Sequence, residues 1–467
     1  MRYTNKLVVF IIMVLTMILL GCGADNASRG DDANDTIEVS TGQKGNSEDK
    51  AKVADARLDE LLGEYSLFAT FGEEYLNIAE DSYESGSIDI YLEDGKYKAD
   101  YFYSSEYSDT KYYGMTLSQE SGEFSTGFES SDWYYIMNTK NKSDEEYNIE
   151  YSVASNRKDT LTLRIRTAYE YEDEDSGETV HEKYDYYELY VRKDYEETEQ
   201  LEYDFRYKEK VTVSNITEFY KAIGSGKHIV LKAGTYNVSE LISKNKDLKS
   251  INILNENMVT IDRDYLAIHG ESVFISDVNN IFIEGEEGAS VLICTEDSYA
   301  VPLEFSDCAN IKLKNLTIGH EVEPGYCSGS VVKFGSCGYI NINQCNLYGS
   351  GTYGIEAVNT YNVKVDETDI YECTYGGIDL DECNDWEFND SKIRDSKEYS
   401  IIDLNGCGYI YFNRCEITNN YSSNYGALID ADYSYGVYFK GCTIKDNEYT
   451  TFLTGDSVYI ENDNLSE

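Results

Sequence analysis

From Cys308 onward the apolar positions of this chain repeat in a fixed pattern. With Cys337 as offset zero, Ile340, Ile342, Cys345 and Leu347 stand at +3, +5, +8 and +10. The same five offsets return as Cys308, Ile311, Leu313, Leu316, Ile318, as Thr360, Val363, Val365, Thr368, Ile370, and as Cys383, Trp386, Phe388, Ser391, Ile393. They return twice more, as Cys407, Ile410, Phe412, Cys415, Ile417 and as Ser434, Val437, Phe439, Cys442, Ile444. A further apolar pair precedes each zero at −5 and −3: Leu303/Phe305, Val332/Phe334, Ile355/Ala357, Ile378/Leu380, Ile402/Leu404 and Ile429/Ala431. Residues two apart on a strand share a face, so each pair predicts a strand and the odd step from +5 to +8 predicts a corner. Three strands per turn follow, with zeros 23 to 29 residues apart. A leucine-rich repeat wants a helix or a fixed Asn ladder in each unit, and a propeller blade a period of about 40 or more, so neither fits.

Between about Leu58 and Tyr207 the pattern is different. Ser87–Tyr91, Lys96–Tyr101, Thr160–Ile165 and Tyr187–Val191 alternate apolar and polar residues, as half-buried antiparallel strands do. Glu93-Asp94-Gly95 supplies a hairpin turn between the first two, because Asp-Gly tolerates positive φ. This segment reads as an antiparallel meander closing into a small barrel or a sandwich. Its opening Leu62-Gly63-Glu64-Tyr65 is faintly similar to the Gly-x-Trp start of lipocalin-type barrels, with Tyr in place of Trp.

Near Val211 the period becomes helical. Asn215 and Glu218 have capping-box spacing, and Ile216, Phe219, Tyr220 and Ile223 form an apolar stripe that Gly224 ends. The apolar strand His228–Leu231 and the turn Ala233–Tyr236 follow. Short helix, strand and turn together resemble the opening of pectin-lyase-like β-helices, in which the helix covers the open first coil. The fold expected is therefore all-β: a right-handed parallel β-helix over 208–467, preceded by the antiparallel domain over 58–207. An uncovered first coil would expose unpaired backbone and a bare core, which is the physical need for the helix.

The N-terminus carries an address. Arg2 and Lys6 flank an apolar run, Leu7 to Leu20, that is shorter than the roughly 20 residues needed to cross a bilayer. Leu19-Leu20-Gly21-Cys22 follows at once and resembles the bacterial lipobox. That resemblance makes 1–22 a lipoprotein signal peptide ending at Cys22, the lipid-attachment site. It places the protein on the extracytoplasmic face of the cell membrane, held by the lipid anchor alone. Residues 23–57 are polar and poor in large apolar side chains, as a disordered tether would be.

Charge and cysteine content narrow the partners. A net charge of −48, from 87 acidic against 39 basic residues, repels nucleic acid and anionic lipid headgroups. Cations, basic proteins and neutral sugars remain. Of 11 cysteines, seven fall on the predicted inward ladders at zero and +8, with Thr or Ser on the missing rungs. Buried thiols acting as small apolar groups are favoured there, and inter-rung disulfides such as Cys308–Cys337 are the alternative in an exported protein. The absence of any C-x-x-C pair gives no zinc or redox site.

The outward residue at −4 is Glu304, Lys333, Glu356, Asp379, Asp403 and Asp430 in successive turns, so four carboxylates in a row would stack about 4.8 Å apart. Neighbours at that spacing repel by roughly 1 kcal/mol in water, and a cation such as calcium would relieve them. Position −2 adds Asp381, Asn405 and Asp432. Tyr353, Tyr375, Tyr399 and Tyr425 precede these strands. Carboxylates beside aromatic faces suit a sugar: acceptors for hydroxyls and flat apolar surface for the ring. The candidate ligand or cation site is therefore Glu356, Asp379, Asp381, Asp403, Asp430 and Asp432, although so acidic a chain would carry an acidic face without any ligand.

Two functions follow. One is non-catalytic binding or presentation of an extended ligand, a polysaccharide or a cell-surface or extracellular protein. The other is a polysaccharide lyase or glycoside hydrolase using Asp379, Asp381 and Asp403. The Gly-His-Gly and Arg-Ile-Lys motifs of polygalacturonase-like β-helices do not occur, and of His181, His228, His269 and His320 only His320 falls within the regular turns. Arg394 and Arg414 are the basic residues a lyase reading would turn to, so the catalytic residues stay open.

Overall fold

The computed structural model describes residues 58–461 apart from 72–75, 79–83, 106–108, 126–129, 139–147, 156–158, 173–178, 194, 197, 245–250, 255–257, 263–271, 298 and 323–328. Cys22, the signal segment, the tether and His269 lie outside the described residues. The chain divides into two compact units, 1–198 and 199–467, so the helix Thr198–Arg206 falls almost wholly in the second.

The first unit is a closed antiparallel barrel. Its eight strands run in sequence order from Gly63–Phe71 to Thr179–Arg192, and the last pairs with the first to shut the sheet. A ninth short strand, Leu76–Ile78, hangs on the first as a hairpin. The Asp-Gly turn is as expected: Glu93 pairs with Lys96, and Asp94 and Gly95 hold φ of 51° and 71°. Alternation places Ile88, Ile90, Ala99, Tyr101, Tyr135, Met137, Leu161, Leu163 and Tyr190 inside. Gly63-x-Tyr65 sits where the barrel closes. The Arg192 guanidinium lies 5.0 Å over the Tyr65 ring and donates to the carbonyls of Leu62 at 2.9 Å and Glu60 at 2.6 Å. Gly63 has φ of 141°, a backbone conformation that L side chains rarely adopt.

The second unit is a column with three walls. The first wall has ten parallel strands, from Glu209–Val213 to Val458–Glu461; the second has eight, from Gly234–Asn237 to Thr443–Lys445. The third wall has eleven and opens with two antiparallel strands, Ile251–Leu254 and Val259–Asp262, before the parallel stack begins. Matched offsets lie on top of one another: Ile342 pairs with Val365, Val365 with Phe388 and Phe388 with Phe412. All four are fully buried, and Phe388, Phe412 and Phe439 stack at 4.7 and 4.5 Å. One turn upstream of those read from the sequence belongs to the same column, with Val273/Ile275, Val278 and Ile281/Ile283 on its rungs.

Corners explain the cysteines, which are buried thiols as expected and also take part in hydrogen bonds. Left-handed backbone recurs at −1, as Asp307, Ser336, Asn359 and Glu382, and at +7, as Asn315, Gln344, Glu367 and Asp390. Each such turn strands an inward N–H that the strands cannot use. The side chain of the next rung accepts it. Cys337 N–H donates to Thr360 Oγ1 at 3.4 Å, Thr368 N–H to Ser391 Oγ at 3.1 Å, and Cys407 N–H to Ser434 Oγ at 2.9 Å. The same side chains donate in turn to the carbonyl two residues back, as Cys383 Sγ does to Asp381 and Ser391 Oγ to Asn389. Cys, Thr and Ser interchange because each both donates and accepts. The nine described cysteines are all buried free thiols.

A third inward ladder at +13 escaped the sequence reading: Ser350, Cys373, Ser396, Asn420 and Asn447. Here Ser396 N–H donates to Asn420 Oδ1 at 3.0 Å, and Asn420 N–H to Asn447 Oδ1 at 3.0 Å. The column's first end is closed by the helix Ile216–Ala222, whose Ile216, Phe219 and Tyr220, with Ile223 after it, join the core. Asn215 caps it by accepting from Glu218 N–H at 3.0 Å. Glu218 reaches back one residue further than a capping box predicts, to Ser214 N–H at 2.9 Å.

Candidate functional site

The carboxylate row is in register on the third wall. Glu304 pairs with Lys333, Lys333 with Glu356, Glu356 with Asp379, Asp379 with Asp403 and Asp403 with Asp430. Asp381 pairs with Asn405 beside it, and the Asn405 amide donates to the Asp381 carboxylate at 2.6 Å. Asp432 lies just past the end of its strand, exposed.

The row is half-buried rather than fully solvated, because Tyr353 lies across it. Its ring occupies the space above Gly376, where a Cβ would meet Tyr353 Cε1 at 2.8 Å and the Ser400 carbonyl at 2.1 Å. From there the hydroxyl reaches over two turns to donate to Asp403 Oδ2 at 3.4 Å. Tyr375 packs against Tyr353 at 6.2 Å and against Tyr399 at 4.5 Å, edge to face in both cases. Tyr353, Tyr375 and Tyr399 therefore interlock, while Tyr399 stays 39% and Tyr425 86% exposed, so part of the aromatic surface expected beside the acids is open.

Partial burial and crowding set the charge states. Burial first, then Asp403 and Glu356, push the Asp379 carboxyl up to about 7. Burial and then Asp430 push Asp403 up to about 6, against the Tyr353 hydrogen bond. The other members are compensated. Glu356 is paired with Lys333 at 2.6 Å, and Asp430 accepts from Ser400 Oγ at 3.4 Å and from Thr454 Oγ1. Asp379 alone in the row has no hydrogen-bond or ion-pair partner among the described residues. A protonated carboxyl flanked by an ionised one can donate and accept at once, which suits hydroxyl groups and also general acid–base chemistry.

The two arginines do not serve this site. Arg394 is on the second wall, with Nη2 2.8 Å from Asp369 and its guanidinium 4.3 Å over Tyr371; Arg414 is 2.6 Å from Asp390 at a corner. Their partners hold both firmly protonated. Among the described residues no group of three or more carboxylate, imidazole or thiol side chains converges as metal ligands would. His320 is buried in the column with Nε2 2.9 Å from the Ala300 carbonyl. His228 is buried on the outer side of the first wall, between Tyr203 at 2.5 Å and Glu284 at 3.1 Å. An open cleft under the loop 286–290, lined by Glu284, Lys314 and Gln344, lies at the corner between first and second walls, away from the row.

A family model described as a right-handed β-helix region matches residues 330–467. The column is a right-handed parallel β-helix. No curated protein matches the chain. Solved structures similar to this β-helix chain include a polygalacturonase from Erwinia carotovora ssp. carotovora, at 12% identity over 54% of this chain and 86% of that one, with a TM-score of 0.26. The A-module of a mannuronan C-5 epimerase from Azotobacter vinelandii matches at 10% identity over 55% and 79%, TM-score 0.25. An alginate lyase from Paenibacillus sp. matches at 10% identity over 54% and 98%, TM-score 0.22. The β-helix assignment rests on the strand registers and the family match.

Proposed function

We propose that this is a lipid-anchored protein of the bacterial cell surface whose β-helix holds an extended polysaccharide along its third wall without processing it. The carrying observation is the in-register row Glu356–Asp379–Asp403–Asp430 under its rim of tyrosines. Regular rungs repeat one set of hydrogen-bonding groups along a line, as a polymer repeats its hydroxyls. Lys333 neutralises Glu356, and the hydroxyls of Tyr353, Ser400 and Thr454 hold Asp403 and Asp430 in place as acceptors without removing their charge. The lipid at Cys22 would keep such a ligand at the membrane surface.

The test is a glycan-array screen of the chain from Leu58 onward, repeated with Asp379→Ala/Asp403→Ala. Glycan binding that the double variant loses supports the reading; identical profiles sink it. Calorimetry with calcium decides whether a cation takes part.

A second reading is catalysis, as a hydrolase or lyase acting on the same polymer. Asp379, at about 7 and without a partner, beside Asp403 at about 6, is the observation in its favour. Release of shorter products from the bound glycan would establish it.

A further inference from the structure

The charge state of the third wall turns on a residue that carries no charge itself. Tyr353 is 9% exposed; its ring lies over Gly376, on the strand of Asp379, and its hydroxyl serves the next rung, at Asp403. Asp379 and Asp403 are paired in register, which places them about 4.8 Å apart along the wall. Both are half-buried. The cation that faces the row, Lys333, lies two rungs from Asp379 and is held by Glu356 at 2.6 Å.

Two carboxyls so close and so poorly hydrated cannot both ionise without cost, so the pair gives up its protons late and one at a time. The single hydroxyl decides the order. An ionised oxygen accepts a hydrogen bond more strongly than a protonated one, so Tyr353 favours the charge on Asp403 and leaves the last proton to Asp379. Burial, then the neighbouring acids, hold Asp379 up to about 7, whereas Asp403, raised by burial and Asp430 and lowered by the Tyr353 bond, stands at about 6. The other charged groups that face the pair belong to the same wall: Glu356, Asp381 and Lys333 towards Asp379, and Asp430, Asp432 and Asp381 towards Asp403.

We propose that Tyr353 makes this pair an ordered two-step proton switch, its ring keeping water from Asp379 and its hydroxyl drawing the first charge to Asp403. Tyr353 is a positioning residue: it acts through the two carboxyls. With one proton bound, neighbouring rungs present a donor at Asp379 and an acceptor at Asp403; with none bound they present two anions. One consequence rests on the glycan reading above. A sugar hydroxyl that accepts from Asp379 loses that bond as pH rises through about 7, so the wall would release a neutral glycan in mildly alkaline medium.

The experiment is a carboxyl carbon-13 NMR titration of the full chain in detergent, labelled at aspartate, with the two signals assigned by Asp379→Asn and Asp403→Asn. Asp403 is expected to ionise first and Asp379 last. Tyr353→Ala, which bares the row, should bring the Asp379 midpoint down to below about 6. Tyr353→Phe keeps the ring and loses the hydroxyl, so it should raise the Asp403 midpoint until the two steps merge. Circular dichroism and thermal melting of each variant confirm that it is folded. An Asp379 midpoint unmoved in folded Tyr353→Ala overturns the proposal, as does an unaltered chain in which Asp379 ionises before Asp403. The glycan array, run at about pH 6.5 and about pH 8.5, is scored separately. Signal lost at the higher value extends the switch to binding, and equal signal removes that consequence. No signal at either value sinks the glycan reading, while the titration still decides the switch.

Discussion

Asp379 shows how a residue's role is set by what its neighbours already have. Glu356 has Lys333, Asp403 has Tyr353 and Asp430 has two hydroxyls; Asp379 has none of these, and burial, then the charges of Asp403 and Glu356, hold its proton to about pH 7. The folded chain therefore binds that proton more tightly than the unfolded chain, whose aspartate loses it near 4, and stability falls as pH rises between the two. Asp379→Asn is expected to raise stability at pH 8 by up to about 4 kcal/mol, the linkage cost of a carboxyl raised from about 4 to about 7, and to change little at pH 4. Denaturant melts at both values check this. Glu188 makes a parallel case inside the barrel. It accepts from Tyr101 Oη at 3.0 Å and from Tyr190 Oη at 2.5 Å, yet burial pushes it up to about 7. With the folded value raised from the usual 4.5, the barrel loses stability as pH climbs from about 4.5 to 7, by at most about 3 kcal/mol. Glu188→Gln should flatten that dependence. Persistence of the slope in the variant would assign it to other groups.

At the scale of elements, the corners hold the β-helix in register as much as the strands do. Asn420 is almost fully buried; it accepts from Ser396 N–H and donates to the Ile393 carbonyl at 3.0 Å. Asn420→Ala would leave two buried backbone groups unpaired and is expected to cost about 2 kcal/mol, read as a lowered denaturation midpoint. Offsets zero and +8 were legible in the sequence because Cys, Thr and Ser alternate there at a constant distance from apolar pairs. The +13 ladder was not, since its small rungs Ser350, Cys373 and Ser396 give way to Asn420 and Asn447, which share with them only the ability to take an N–H. Helix Ile216–Ala222 was legible from its stripe, whereas Val238–Lys244, with Val238, Leu241 and Ile242 buried, carried too short a pattern to stand out.

The chain consists of two compact units, and among the described residues each has its own apolar cluster. Calorimetry is accordingly expected to show two transitions, with Glu188→Gln moving one and Asn420→Ala the other; a single transition that both variants shift together would refute it. The sequence by itself determined the β-helix, its register and the carboxylate row, because each turn stacks on the next and slipping by one residue would turn every apolar side chain outward. Contacts that skip the repeat were decided only by tertiary structure. Closure of the barrel pairs Tyr65 with Arg192, and Tyr353 passes over one turn to reach Asp403 in the second. Whether tyrosines lock edge to face, as Tyr375 does on Tyr399, or stack near-parallel, as Tyr411 does on Tyr438, depends on the wall beneath them. A periodic pattern specifies which residues are neighbours, and the orientation of a ring or the proton on a carboxyl is set by everything within a few ångströms, most of it distant in the chain.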